Sequence, residues 1–220
     1  MTLGRSVVVP GMLQEYDSFG ALLRTLSTDM WATPSRCDGW RVGDIAAHVA
    51  GQLTDVSNLR LEGLGTAEVT DRQVQERRGR GPDELADELM ASTESASALA
   101  VAFDDDAWIA PGPPGTSGTL GQGLEALWFD TFLHADDIRH AIGAHTETGG
   151  GLPPSLSHIA QILTDQGWGP ATLRFPGMEE FDVSGGGEVI TGDPMIFVMV
   201  STGRADPGLL GLDPEVNIYR

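Results

Sequence analysis

The chain has 220 residues, 40% of them hydrophobic, which suits one large packed domain or two small ones and excludes wholesale disorder. Thirteen basic residues against 32 acidic ones leave a formal net charge of −19, which argues against nucleic-acid backbones and anionic membranes as partners. Every basic residue is Arg, which excludes Schiff-base lysine chemistry and the phosphate-cradling lysine of a P-loop, and a single cysteine, Cys37, excludes an internal disulfide or a thiolate cluster. Arginine without lysine, together with abundant Gly and Ala, suits a GC-rich genome. No apolar run approaches the roughly 20 residues of a membrane span. The opening MTLGRSVVVPGM has too short an apolar core for a secretory signal, so a soluble cytoplasmic protein is expected.

Four helical stretches are predicted in the first two thirds. Leu13, Tyr16, Phe19, Leu22, Leu23 and Leu26 recur at three- and four-residue steps and give the first helix one apolar face. A loop from Trp31 to Trp40, broken by Pro34 and Gly39, leads to a second helix from near Arg41 through Ile45, His48, Val49, Gln52, Leu53, Val56 and Leu59. After a longer joint from Glu62 to Gly81, Pro82 opens a third helix with Asp83 and Glu84 in its positive first turn, and Leu85, Leu89, Ala96, Leu99 and Phe103 form its stripe. The run Pro111 to Gly118 is a loop, and Leu120 to Gly143 is the fourth helix. These make an up-and-down four-helix bundle over residues 1–146. The segment from Glu147 to Pro154 is the linker to a smaller α+β unit over 147–220. That unit is expected to hold a helix at 154–166, strands Ala171–Phe175, Phe181–Val183 and Glu188–Ile190, and a last helix, Pro194 to Ser201, capped by Asp193.

The sharpest local feature is Asp130-Thr-Phe-Leu-His134 in the fourth helix. Residues four apart share a helical face, so both side chains can meet one ion. His48 lies on the apolar side of the second helix, where an imidazole needs a partner. One carboxylate and two imidazoles from different helices suit Zn, Fe, Mn or Ni and leave positions open for water or substrate.

The segment TDMWATPSRCDGWRVGDIAAHVAG resembles the opening signature of the mycothiol-dependent maleylpyruvate isomerase family, part of the DinB-like metal-binding superfamily. That signature is a W-x-x-P-(S/T)-x-C-x-G-W loop leading into a helix with D-x-x-x-H, here Asp44 and His48. Its second signature is an acidic residue followed by H-x-x-D-x-x-x-A, here Asp130, His134, Asp137 and Ala141. A third similarity is GDP at 192–194, then an apolar helix and Gly203-Arg204. The resemblance implies a DinB-like bundle with His48, Asp130 and His134 as ligands of a divalent metal, with zinc first among the candidates. The family usually carries Glu where Asp130 stands, one methylene longer. Asp137 is expected to orient or pack rather than ligate.

The resemblance also implies an activity. Its members are thiol S-transferases and isomerases whose metal favours the thiolate of a low-molecular-weight thiol, mycothiol, which adds to a small electrophile. Arg204 would grip a carboxylate of substrate or thiol, or else be an exposed arginine after a helix. The competing function is a DinB-like binding protein, or a bundle repurposed to another reaction with its metal site weakened or lost. The chain is expected to act as a monomer or homodimer. Cys37 is read as a small packed residue, and His140, His145 and His158 as groups away from the site. Asp104 to Asp106 is read as a solvated run, the glycines 185–187 as a turn, and Trp31, Trp40 and Trp128 as core anchors.

Overall fold

The computed structural model describes residues 3–112 and 118–220. It has the expected fold class, a helix-rich bundle followed by a small α+β part. The chain divides into two compact units, residues 4–147 and residues 148–220 with the extreme N-terminus.

In the first unit the helices are α1 (Arg5–Leu23), α2 (Thr28–Trp31), α3 (Val42–Ser57), α4 (Ala67–Glu76), α5 (Pro82–Val101), α6 (Asp105–Ile109) and α7 (Leu120–Ala141). The long helices are α1, α3, α5 and α7. Both α1 and α3 pack on α5 and on α7, so the ring order is α1, α5, α3, α7. In chain order, α1 and α3 therefore lie across the bundle from one another, as do α5 and α7, while α3 and α5 are neighbours. The two crossings need connections long enough to span the bundle, and α2 and α6 occupy them, whereas α4 lies in the joint between the neighbours α3 and α5 and packs on α3. The interior is filled by Tyr16, Phe19 and Leu23 of α1, Ile45 and Leu53 of α3, Leu85 and Leu89 of α5, and Leu133 and Ile138 of α7, all nearly inaccessible.

Local chemistry sets the helix ends. Asp44 accepts a hydrogen bond from the Arg41 N–H at 2.9 Å at the start of α3, and Glu84 accepts from the Gly81 N–H at 2.9 Å at the start of α5. Thr119 and Gln122 bond reciprocally at the start of α7. Three features differ from the sequence expectation. The first helix begins at Arg5 and takes in Pro10, ahead of the apolar recurrence that starts at Leu13. The joint from Glu62 to Gly81 contains α4, whose only buried residues are Gln73 and Val74. The acidic run is not merely solvated, because Asp104 accepts from the Ala107 N–H at 2.8 Å and caps α6. The expected loop from Pro111 to Gly118 lies largely outside the described residues. Its ends are tied by the Gly112 N–H to the Gly118 carbonyl at 2.8 Å.

The second unit holds α8 (Leu152–Asp165), strands β1 (Ala171–Leu173), β2 (Phe181–Val183) and β3 (Glu188–Ile190), and α9 (Pro194–Ser201). Sheet order is β2-β1-β3, with β1 antiparallel to β2 and parallel to β3. Leu156, Ile159 and Leu163 of α8, Leu173, Val183 and Phe197 make its core. Asp193 caps α9, accepting from the Met195 and Ile196 N–H groups at 2.8 and 3.1 Å. No helix is long and apolar enough to cross a membrane among the described residues.

Candidate metal centre

α7 is buried nearly all round, so its polar residues must find partners inside the protein. Asp130 and His134 lie one turn apart on it, and His48 comes from α3, which packs against α7. The Asp130 carboxylate lies between the two imidazoles, with Oδ2 3.3 Å from His48 Nε2 and Oδ1 3.6 Å from His134 Nε2. One ligand atom from each residue fits within 4.8 Å of the others. The imidazoles stand edge to face with centroids 5.2 Å apart. Side-chain exposure is 7% for His48, 11% for His134 and 21% for Asp130, so the cluster is enclosed and opens on the side of the carboxylate.

The electrostatics follow from this enclosure. Burial opposes charge on Asp130, but the two imidazoles and Gln52 more than offset it and hold the carboxyl well below its ordinary range. Burial likewise opposes the imidazolium of His48, yet Asp130 and the Gln73 hydrogen bond raise it above its ordinary value. Tyr16, fully buried next to this region, is pushed far up by desolvation and stays a neutral phenol.

Each histidine is held from behind. His134 Nδ1 is 2.9 Å from Asp137 Oδ2, and Asp137 also accepts from Arg36 Nε at 2.6 Å and from Cys37 Sγ at 3.2 Å. Arg36 bridges to Asp136 as well, so the loop before α3 is fastened to α7 through a two-carboxylate clasp. His48 Nδ1 is 2.9 Å from Gln73 Oε1 on α4. With both Nδ1 atoms engaged, the two Nε2 atoms and the carboxylate face a common centre, and this donor set fits a divalent ion.

Trp40 is only half-buried and is not a core anchor. Its ring stands 5.4 Å from that of His48 and 6.1 Å from that of His134, making it a wall of the cluster. Trp31 is also half-buried, its Nε1 close over Gly43, whereas Trp128 is buried and donates to Glu15 at 3.2 Å. Arg204 belongs to the second unit, half-buried just after α9, with Nη1 donating to the Thr202 carbonyl at 3.2 Å. His140 and His145 are exposed, while His158 is half-buried on α8. Sequence reasoning missed Gln73, Asp55 and Arg36. A polar residue at the buried register of an otherwise solvated helix was the available signal for Gln73.

Two similar solved structures share this fold. A crystal structure of the mycothiol-dependent maleylpyruvate isomerase with a histidine-to-alanine mutation aligns at TM-score 0.64 and 18% identity, covering 96% of each chain. A second crystal structure of the mycothiol-dependent maleylpyruvate isomerase aligns at TM-score 0.63 and 18% identity, over 92% of this chain and 90% of that one. A comparison with the curated proteins finds no match. Residues 12–139, more than half of the chain, match the mycothiol maleylpyruvate isomerase N-terminal domain, and the chain belongs to that family.

Proposed function

We propose that this chain is a metal-dependent thiol enzyme, a mycothiol S-transferase or isomerase acting on a small electrophile. The observation that carries the reading is the convergence of His48 Nε2, Asp130 and His134 Nε2 in one enclosed cluster. These three would hold one divalent ion, zinc first, with nickel, manganese and iron as alternatives. Such an ion, when bound, favours the thiolate form of a thiol at neutral pH.

The protein's own groups support that use. Asp130 is anionic across the working pH range and needs no deprotonation to serve as a ligand. Asp137 holds the His134 ring by its Nδ1, and Trp40 gives the cluster an apolar wall that limits water. Arg204 is assigned the grip on a carboxylate of substrate or thiol through its planar fork. In an isomerase the thiol adds to the electrophile and leaves unchanged; in a transferase it stays on the product.

The test begins with elemental analysis of protein purified without chelator and offered zinc, nickel, manganese or iron. One ion per chain is expected, and His134→Ala should lose most of it while keeping helical circular dichroism. Mycothiol should raise the melting temperature, and consumption of thiol with an electrophile panel should vanish in Asp130→Ala. Arg204→Ala should weaken substrate use and spare metal content. Wild-type protein that takes up no stoichiometric ion would end the metal reading. No thermal shift with mycothiol, together with undiminished activity in Asp130→Ala, would leave a repurposed bundle.

A further inference from the structure

His48 is backed by more than one residue. Its Nδ1 meets Gln73 Oε1 at 2.9 Å, and Gln73 is 1% exposed on α4. The other end of the same amide, Nε2, donates to Asp55 Oδ2 at 2.8 Å. Asp55 is wholly buried near the end of α3 and lies between two guanidinium groups, Arg72 at 2.6 Å from Oδ2 and Arg60 at 2.7 Å from Oδ1.

This arrangement has a definite hydrogen-bond sense. A carboxylate between two arginines offers only acceptors, so it can be satisfied by the NH2 end of Gln73 and not by its oxygen. The amide is thereby fixed with its oxygen toward His48. An oxygen at 2.9 Å can only accept, so Nδ1 must carry the proton. The other ring nitrogen, Nε2, lies 3.3 Å from Asp130 Oδ2 and faces the cluster, so it is the one left to offer a lone pair when an ion takes the place of its hydrogen bond to Asp130.

We infer that Gln73 and Asp55 are positioning residues that set the tautomer of His48 and so present Nε2 as a metal ligand. The inference rests on the metal-site reading above and extends it to α4. It also explains a buried amide and a buried carboxylate that would otherwise cost stability without purpose.

Two measurements test it, neither of which uses activity. In zinc-loaded wild-type protein labelled with nitrogen-15 histidine, His48 should show zinc on Nε2 and a proton on Nδ1. Zinc on Nδ1, or an Nδ1 without a proton, would overturn the inference with no substitution made. The second measurement is zinc affinity by competition with a chromophoric chelator. Gln73→Leu should bind zinc about 10- to 100-fold more weakly at unchanged stoichiometry. The double variant Asp55→Asn with Gln73→Glu keeps an acceptor facing His48, now supported by an amide donor, and should recover most of that affinity. A Gln73→Leu protein within twofold of wild type, or a double variant as weak as the single one, would refute the positioning role. If Gln73→Leu fails to fold, the wild-type spectrum and the double variant's affinity decide. Wild-type protein that binds no zinc sinks the metal reading and this inference together. Normal wild-type binding with an indifferent Gln73→Leu sinks this inference alone.

Discussion

Gly51 sits on α3 one turn beyond His48 and faces α4. A Cβ at Gly51 would lie 2.7 Å from the Cβ of Gln73 and 2.8 Å from Nη1 of Arg77. The Cβ of Gln73 is attached to the backbone and cannot swing aside, so Gly51→Ala must push α4 away. Ordinary contact begins at 3.4 Å, which requires a retreat of roughly 0.7 Å. The same movement would stretch the 2.9 Å bond between His48 and Gln73 to roughly 3.6 Å, beyond hydrogen-bond range. Alanine in a helix interior normally gains about 1 kcal/mol over glycine. Against that gain stand an overpacking cost of about 1–3 kcal/mol and about 1 kcal/mol for the lost buried bond. The net is a destabilisation of about 1–3 kcal/mol, or a melting temperature lower by about 3–10 °C in a chain of this size. Gly123 on α7 is the control, because it is exposed and a Cβ there meets nothing within 4 Å. Gly123→Ala should gain the full propensity term and melt about 2–4 °C higher. Thermal unfolding followed by circular dichroism reads both. If Gly51→Ala melts with or above wild type, as Gly123→Ala should, then α4 is not held against α3 as described.

Two further outcomes follow from named groups. Burial disfavours charge on Glu88, but Arg77, Thr54 and Arg80 overcome it and hold its carboxyl below the ordinary 4.5. Because the folded value is depressed, its stabilisation is complete above pH 4.5 and is lost as pH falls through the folded value. The stability gap between wild type and Glu88→Gln, measured by urea unfolding, should therefore be widest near neutrality and close on acidification; a gap that does not change with pH would contradict this. Cys37→Ser keeps a donor for Asp137 and should leave metal content and turnover within twofold of wild type and the melting temperature unchanged. A loss of turnover beyond tenfold with metal retained would reveal thiol chemistry at Cys37 itself.

What the sequence makes legible depends on how each element is held. The helices α3, α5 and α7 carry capping residues and apolar stripes, both local signals, and their starts at Val42, Pro82 and Leu120 agree with the sequence reading to within a residue. α4 is held instead by ions and an amide: Asp55 with Arg72, Glu88 with Arg77, and Gln73 with His48. Apolar periodicity cannot register a helix whose buried face is mostly polar. The same distinction applies within the site. Asp130 and His134 are one turn apart and visible as a pair, whereas Arg36 meets Asp136 and Asp137 across about a hundred residues of chain. Trp40 misleads because large aromatic residues usually fill cores. Here it follows a loop clasped to α7, and that long-range clasp turns the ring toward the two histidines.

The buried charges around the site also show a pattern that bears on the proposed chemistry. Asp137, behind His134, shares Arg36 with Asp136, and Asp55, behind Gln73, lies between Arg60 and Arg72. Asp55 can therefore orient Gln73 without adding net negative charge, and Arg36 offsets one of the two charges of the carboxylate pair behind His134. Asp130 is different, because its ion-pair partners among the described residues are the two imidazoles. With neutral imidazoles, a divalent ion there would keep a net charge of about +1 after Asp130 is counted. A residual positive charge in an enclosed site favours a thiolate over a thiol more strongly than the same charge in water would, since screening is weaker there. Had Asp137 or Asp55 been left without its arginines, the surplus negative charge would have opposed a thiolate. The arginine partners thus let the histidines be held firmly while the centre remains cationic.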